Sequence, residues 1–226
     1  MKHPLIKILI AILLGVFVLM FASVIQMIIS NETIITENFS PLKKIATHLG
    51  MLICSILIIL IITKGKLNEY GFNWSFDFPF MKIIFISLAF GFLSSVIGNL
   101  FIDSTSKTAT IDFTLIEQVL YIWFFASIAE EVFTRGLIQG FLSSLKHIRF
   151  KLLNYYLSLP VIIGAIFFGA MHLALLALGV NILNVMTIIV FGIVLGLIAG
   201  YQKEKTNSLI PAIIVHMCFN IGGAFL

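Results

Sequence analysis

Long apolar runs alternate with short polar connectors along the whole chain. Ile8 to Ile29 holds no charge and follows Lys2 and Lys7. Ile45 to Thr63 is a second run, flanked by Lys43-Lys44 and Lys64. Ile83 to Ile102 is a third, Phe113 to about Leu145 a fourth, and Leu152 to Leu178 a fifth with Pro160 near its start. Ile182 to Tyr201 and Leu209 to Leu226 complete the series. A helix that crosses a bilayer needs about 20 predominantly apolar residues. The pattern therefore predicts an all-α, polytopic transmembrane helical bundle of about seven membrane helices. Residues 1–226 read as one integral-membrane domain.

The connectors refine this picture. Lys64 to Phe80 is polar and aromatic, and is expected at the membrane interface, where Tyr70 and Trp74 would sit comfortably. A short eighth helix in this connector is the alternative drawing. Asp103 to Asp112 reads as a polar loop, Lys146 to Lys151 as a basic loop and Gln202 to Asn207 as a short charged loop. Pro211 falls in the first turn of the last helix, where a missing N–H costs little. The first run has no Ala-x-Ala-like site after it and is expected to stay uncleaved.

Composition closes off other classes. The chain is 60% hydrophobic and 11% charged, with a mean hydropathy of +1.13. Soluble domains are about 45–50% apolar and about 25% charged. An ordinary soluble domain and a disordered chain are both excluded. The net charge of +4 comes from small basic groups scattered between apolar runs. That pattern orients a protein in a bilayer and does not suit a nucleic-acid partner. With the N-terminus in the cytoplasm, Lys2, Lys7, Lys64, Lys66, Lys82, Lys146, Arg149, Lys151, Lys203 and Lys205 lie inside, against Lys43, Lys44 and Lys107 outside. Seven crossings then put the C-terminus outside. Cys54 and Cys218 each lie in an apolar run and read as packing residues. No internal repeat is visible.

The charges inside the fourth run need a reason. Glu130, Glu131 and Arg135 all fall within it. A charge at the bilayer centre costs on the order of 3 kcal/mol even on a lenient scale. Glu131 and Arg135 are spaced i, i+4 and can pair on one helix face. Glu130 points about 100° away, with no partner on its own helix, as a general base requires. Later runs supply His172, then His216 and Asn220 on one face of the last helix. Polar groups inside membrane helices face the bundle interior. His48, alone in the second run, is expected to be a hydrogen-bonded packing residue.

The ordered set Glu130-Glu-x-x-x-Arg135, Phe168-x-x-x-His172 and His216-x-x-x-Asn220 resembles the CPBP family, the CAAX proteases and bacteriocin-processing enzymes also called the ABI family. The lead-in Asn207-Ser-Leu-Ile-Pro211-Ala is similar too. The resemblance covers about residues 113–226. It implies an intramembrane glutamate-type endopeptidase. Glu130 would activate water, His172 would orient that water, and His216 with Asn220 would stabilise the oxyanion. Glu131 and Arg135 would hold the site together. No cofactor is expected. Zinc is a disfavoured alternative: no His-Glu-x-x-His occurs, and a zinc site needs at least three aligned ligands, which Glu130, His172 and His216 could in principle provide.

The expected partners are the lipid bilayer and a peptide or membrane-tethered protein substrate, in a bacterial plasma membrane. Processing of a peptide or prepeptide, or self-immunity to a bacteriocin, is preferred over prenyl-protein maturation. The alternative is a non-enzymatic membrane immunity or scaffold protein. A proton-coupled carrier is a third reading, weakened by the missing repeats. One difficulty is geometric. From Leu152, His172 lies about 30 Å along its helix, while His216 lies about 10 Å from Leu209. The stretch before Pro160 is therefore expected to lie along the membrane surface.

Overall fold

The computed structural model describes residues 3–31, 40–75, 78–101 and 113–224. Seven helices order the chain: α1 (Pro4–Ser30), α2 (Ser40–Thr63), α3 (Phe80–Asn99), α4 (115–141), α5 (Leu159–Met171), α6 (Ile182–Thr206) and α7 (Leu209–Gly223). Helices α1, α2, α3 and α6, together with Leu159–Leu178, are long and apolar enough to cross a membrane. Helix α7 is apolar but shorter. The protein is an all-α polytopic membrane protein. The loop expected over Asp103–Asp112 lies outside the described residues.

Helix α4 is the axis of the bundle and touches α1, α2, α5, α6 and α7. Its start is locked by reciprocal hydrogen bonds. Thr114 Oγ1 accepts from Glu117 N, and Glu117 Oε2 accepts from Thr114 N at 2.9 Å. Its backbone widens to π-type pairing over Gln118–Ala126 and Val132–Gln139. The single α-helical turn between them carries Glu130 and Glu131. Such widened turns recur at functional sites. Every residue from 131 to 140 is buried. The charges of this segment therefore face protein rather than lipid.

Small residues let the other helices close around it. A Cβ at Gly91 of α3 would strike the Phe219 carbonyl of α7, and one at Gly222 would strike the Leu88 carbonyl. A Cβ at Gly196 of α6 would meet Ala165 of α5. The glycines at 192, 196 and 200 thus form the close-packing face that their four-residue spacing predicts.

The basic connectors share one face of the molecule. Lys7 Nζ donates to Ser144 Oγ at 2.5 Å. Asn73 Nδ2 donates to the Asn207 carbonyl at 2.9 Å, and Leu209 N to the Gly71 carbonyl at 2.8 Å. Ser158 Oγ hydrogen-bonds the Glu204 carboxylate. On the opposite face Lys44 pairs with Glu117 at 2.7 Å.

Two expectations change, and one alternative drops out. The stretch before Pro160 is not helical. It forms an antiparallel hairpin of β1 (Arg149–Leu152) and β2 (Tyr155–Ser158), and Ser158 then caps α5. Shortening the helix brings His172 to about 20 Å from its start. The 64–80 connector holds one 3-10 turn, Leu67–Tyr70, and no eighth spanning helix among its described residues. Within it Trp74 is exposed, but Tyr70 is buried against Gly140 of α4.

Candidate active site

The two adjacent glutamates of α4 have different surroundings. Glu131 is fully buried, and its Oε1 lies 3.0 Å from Arg135 Nη1 and 2.9 Å from His216 Nδ1. Arg135 is equally buried and lies over the Phe168 ring, 4.5 Å from its centroid. Its Nη1 also donates to Thr134 Oγ1 at 2.5 Å. The expected i, i+4 pair is therefore present and is extended by a third residue from α7. Burying this pair without good geometry would cost several kcal/mol.

Glu130 faces the other way and keeps 13% of its side chain exposed. Its Oε1 lies 3.1 Å from His48 Nε2, and its Oε2 lies 3.7 Å from His216 Nε2. His48 is thus hydrogen-bonded, as a packing histidine is expected to be, but its partner is Glu130. Hydropathy places it in a span, but the pairing crosses 82 residues of sequence and no local periodicity reports it.

His172 ends α5. Its Nδ1 donates to the Phe168 carbonyl at 2.9 Å. A carbonyl only accepts, so Nδ1 carries the hydrogen and the Nε2 lone pair of the neutral ring is left available. His172 and His216 approach Phe168 edge to face, with centroids 5.3 and 5.4 Å from it. The shared aromatic wall brings α5 and α7 together although the two histidines lie at different distances along their helices. Asn220 Nδ2 donates to Ser127 Oγ at 3.1 Å and to the Ile122 carbonyl at 3.3 Å. Both acceptors belong to α4, so Asn220 fastens α7 to that helix.

A cavity of about 450 Å³ opens beside these groups. His172, His216 and Asn220 line it, with Ser95 and Asn99 from α3 and Asn184 from α6 among the polar contributors. Among the described residues, no Lys, Arg, Asp or Glu is part of the lining. The size lies within the usual range for ligand pockets, about 300–1,000 Å³. All six residues singled out from the sequence therefore come together from α4, α5 and α7. Sequence reasoning missed His48, Ser127 and the cavity wall of α3 and α6. Among the described residues, no three His, Cys, Asp or Glu side chains are grouped to hold a metal ion.

Residues 112–222 match the model of the Rce1-like family, "Type II CAAX prenyl endopeptidase Rce1-like". The chain belongs, through this half, to the CPBP family of membrane proteases. No curated protein and no solved structure matches it. The matched segment contains α4 to α6 and all but the last residue of α7, and every site residue named above except His48, Ser95 and Asn99.

Proposed function

We propose that this protein is a glutamate-type intramembrane endopeptidase that cleaves a membrane-associated peptide by activating water. The observation that carries the reading is the division of labour between the paired glutamates. Glu131 is committed to Arg135 and His216, while Glu130 keeps 13% of its side chain exposed and stands 3.7 Å from His216, which lines a largely apolar cavity.

The residues supply what peptide hydrolysis requires. Glu130 takes a proton from water as the water oxygen bonds to the scissile carbonyl carbon. His172 Nε2 accepts from the same water and orients it. Positive charge and N–H groups must meet the oxygen that becomes negative. His216 fits that role in its doubly protonated form, in which Glu131 holds the Nδ1–H and the Nε2–H is left to donate. Asn220 offers its amide, and an oxyanion would compete with Ser127 or the Ile122 carbonyl for one N–H. Glu130 then passes its proton to the leaving amine as the C–N bond breaks. No step needs a metal, and the donor set lacks a three-ligand grouping among the described residues.

The uncharged cavity lining favours an extended peptide segment with uncharged side chains. We read the host as a bacterial plasma membrane, with the basic face cytoplasmic. Short loops read as a bacterial trait, and on that ground processing of a prepeptide, or self-immunity to a bacteriocin, is preferred over prenyl-protein maturation; the largely apolar cavity suits either. The test compares peptides from cells making wild type with those making Glu130→Gln at equal level, by mass spectrometry. Peptide termini found only with wild type support proteolysis. Identical termini alongside a preserved phenotype would favour a non-enzymatic immunity or scaffold role.

A further inference from the structure

His48 belongs to α2, outside the matched residues 112–222, and its Nε2 lies 3.1 Å from Glu130 Oε1. We propose that His48 is a positioning residue for the general base, donating from Nε2 to Glu130 Oε1 so that Oε2 is the oxygen presented to water. The proposal rests on the reading of Glu130 as that base.

An ionised carboxylate accepts hydrogen bonds and cannot donate them, so the imidazole must supply the hydrogen. Glutamate ends in a broad, roughly two-fold torsion, and either oxygen can turn toward a substrate. A base works efficiently only when one lone pair is held in place. The neighbours on other elements do not hold it. Glu131 and Arg135 on α4 are fully buried and paired with each other. His216 of α7 stands 3.7 Å from Oε2, beyond hydrogen-bond length. His172 of α5 has its Nδ1 tied to the Phe168 carbonyl. Among the described residues, His48 makes the hydrogen bond to the Glu130 carboxylate.

The fold holds His48 in register for this task. One turn earlier on α2, Lys44 bridges to Glu117 at the start of α4 at 2.7 Å. Next to His48, Thr47 Oγ1 donates to Gln26 Oε1 of α1 at 3.1 Å. Two residues further on, Gly50 lets α2 pack closely against Ala22 and Ile25 of α1. Helix α2 is thus fixed to α1 and α4 within one turn of His48. In the reaction the histidine keeps its own proton throughout. The proton taken from water rides on Glu130 Oε2 until the amine leaves.

The test uses the full-length protein in its own membrane, with four forms at equal level: wild type, Glu130→Gln, His48→Phe and His48→Gln. The readout is the intensity of the peptide termini produced by wild type. His48→Phe keeps a ring and removes the donor, while His48→Gln keeps an N–H donor on a different shape. The expected result is a loss of at least about tenfold for His48→Phe, with His48→Gln restored to within about threefold of wild type. A packing role predicts the opposite order, because Phe matches the histidine ring better. Wild-type output from His48→Phe, or equal loss in both His48 variants, overturns the assignment of His48, provided that Glu130→Gln is silent. A full set of termini from Glu130→Gln overturns the underlying protease reading instead. Where His48→Phe does not accumulate, His48→Leu serves as the donor-free variant and is read in the same way.

Discussion

Glu131 and His216 lie 85 residues apart in sequence and share a hydrogen bond of 2.9 Å in the bundle core. The carboxylate accepts, so His216 Nδ1 carries the hydrogen. The oxygen involved, Glu131 Oε1, also meets Arg135 Nη1 at 3.0 Å. One buried carboxylate thereby joins α4 to α7 and sets which nitrogen of His216 faces Glu130.

This predicts a separation between stability and activity. Glu131→Ala leaves Arg135 as an uncompensated buried charge, and is expected to cost about 3–5 kcal/mol. The double substitution Glu131→Leu with Arg135→Met removes both charges and should recover most of that stability. It should not recover activity, because His216 loses its fixed proton. Thermal unfolding of the purified proteins in detergent, beside an activity assay, checks both halves.

Asn220→Ala should be more costly to catalysis than to folding. It removes a donor beside the cavity and leaves Ser127 Oγ, a hydroxyl that can reorient, as its former partner. Loss of one oxyanion donor lowers kcat by about 10²–10³-fold. The measurement is kcat on the cleaved peptide, with the melting temperature as control. A fall in kcat below threefold would remove Asn220 from the oxyanion role.

Gly91→Ala and Gly222→Ala should each pry α3 from α7. The added methyl would overlap the Phe219 or the Leu88 carbonyl, and backbone cannot step aside as a side chain can. Overpacking of this kind costs about 1–3 kcal/mol. Both variants are expected to melt earlier than wild type. Gly98→Ala is the internal comparison, since open space surrounds that position.

Metal removal should leave the enzyme active. Chelation with a strong zinc ligand is expected to change the rate by less than about twofold, and elemental analysis of pure protein should find zinc well below one equivalent. Stoichiometric zinc lost together with activity would overturn the metal-free mechanism.

The spans were legible because a bilayer imposes long apolar runs, and the grouping of basic connectors followed from the same constraint. Lys7 with Ser144 and Asn73 with Asn207 bear out that grouping as one face of the molecule. The six site residues were legible because charges and amides in apolar helices need partners. What stayed hidden is tertiary. Nothing in the second run announces that His48 reaches Glu130, because helix periodicity reports neighbours on one helix only. The 149–158 hairpin was hidden for another reason. Its strands are four residues long, and the turn uses Leu153 at φ +52° instead of the usual glycine or asparagine. The cavity wall was hidden too, because Asn99 and Asn184 are single polar residues that acquire a role only when α3 and α6 meet.

The central claim is that Glu130 is the base that activates water. Its most direct test is kcat and KM for purified wild type and Glu130→Gln in lipid nanodiscs, on one peptide spanning a cleavage site found in cells. Glu130→Gln is expected to lower kcat by about 10²–10⁴-fold with KM nearly unchanged. Comparable kcat from the well-folded Glu130→Gln protein would contradict it.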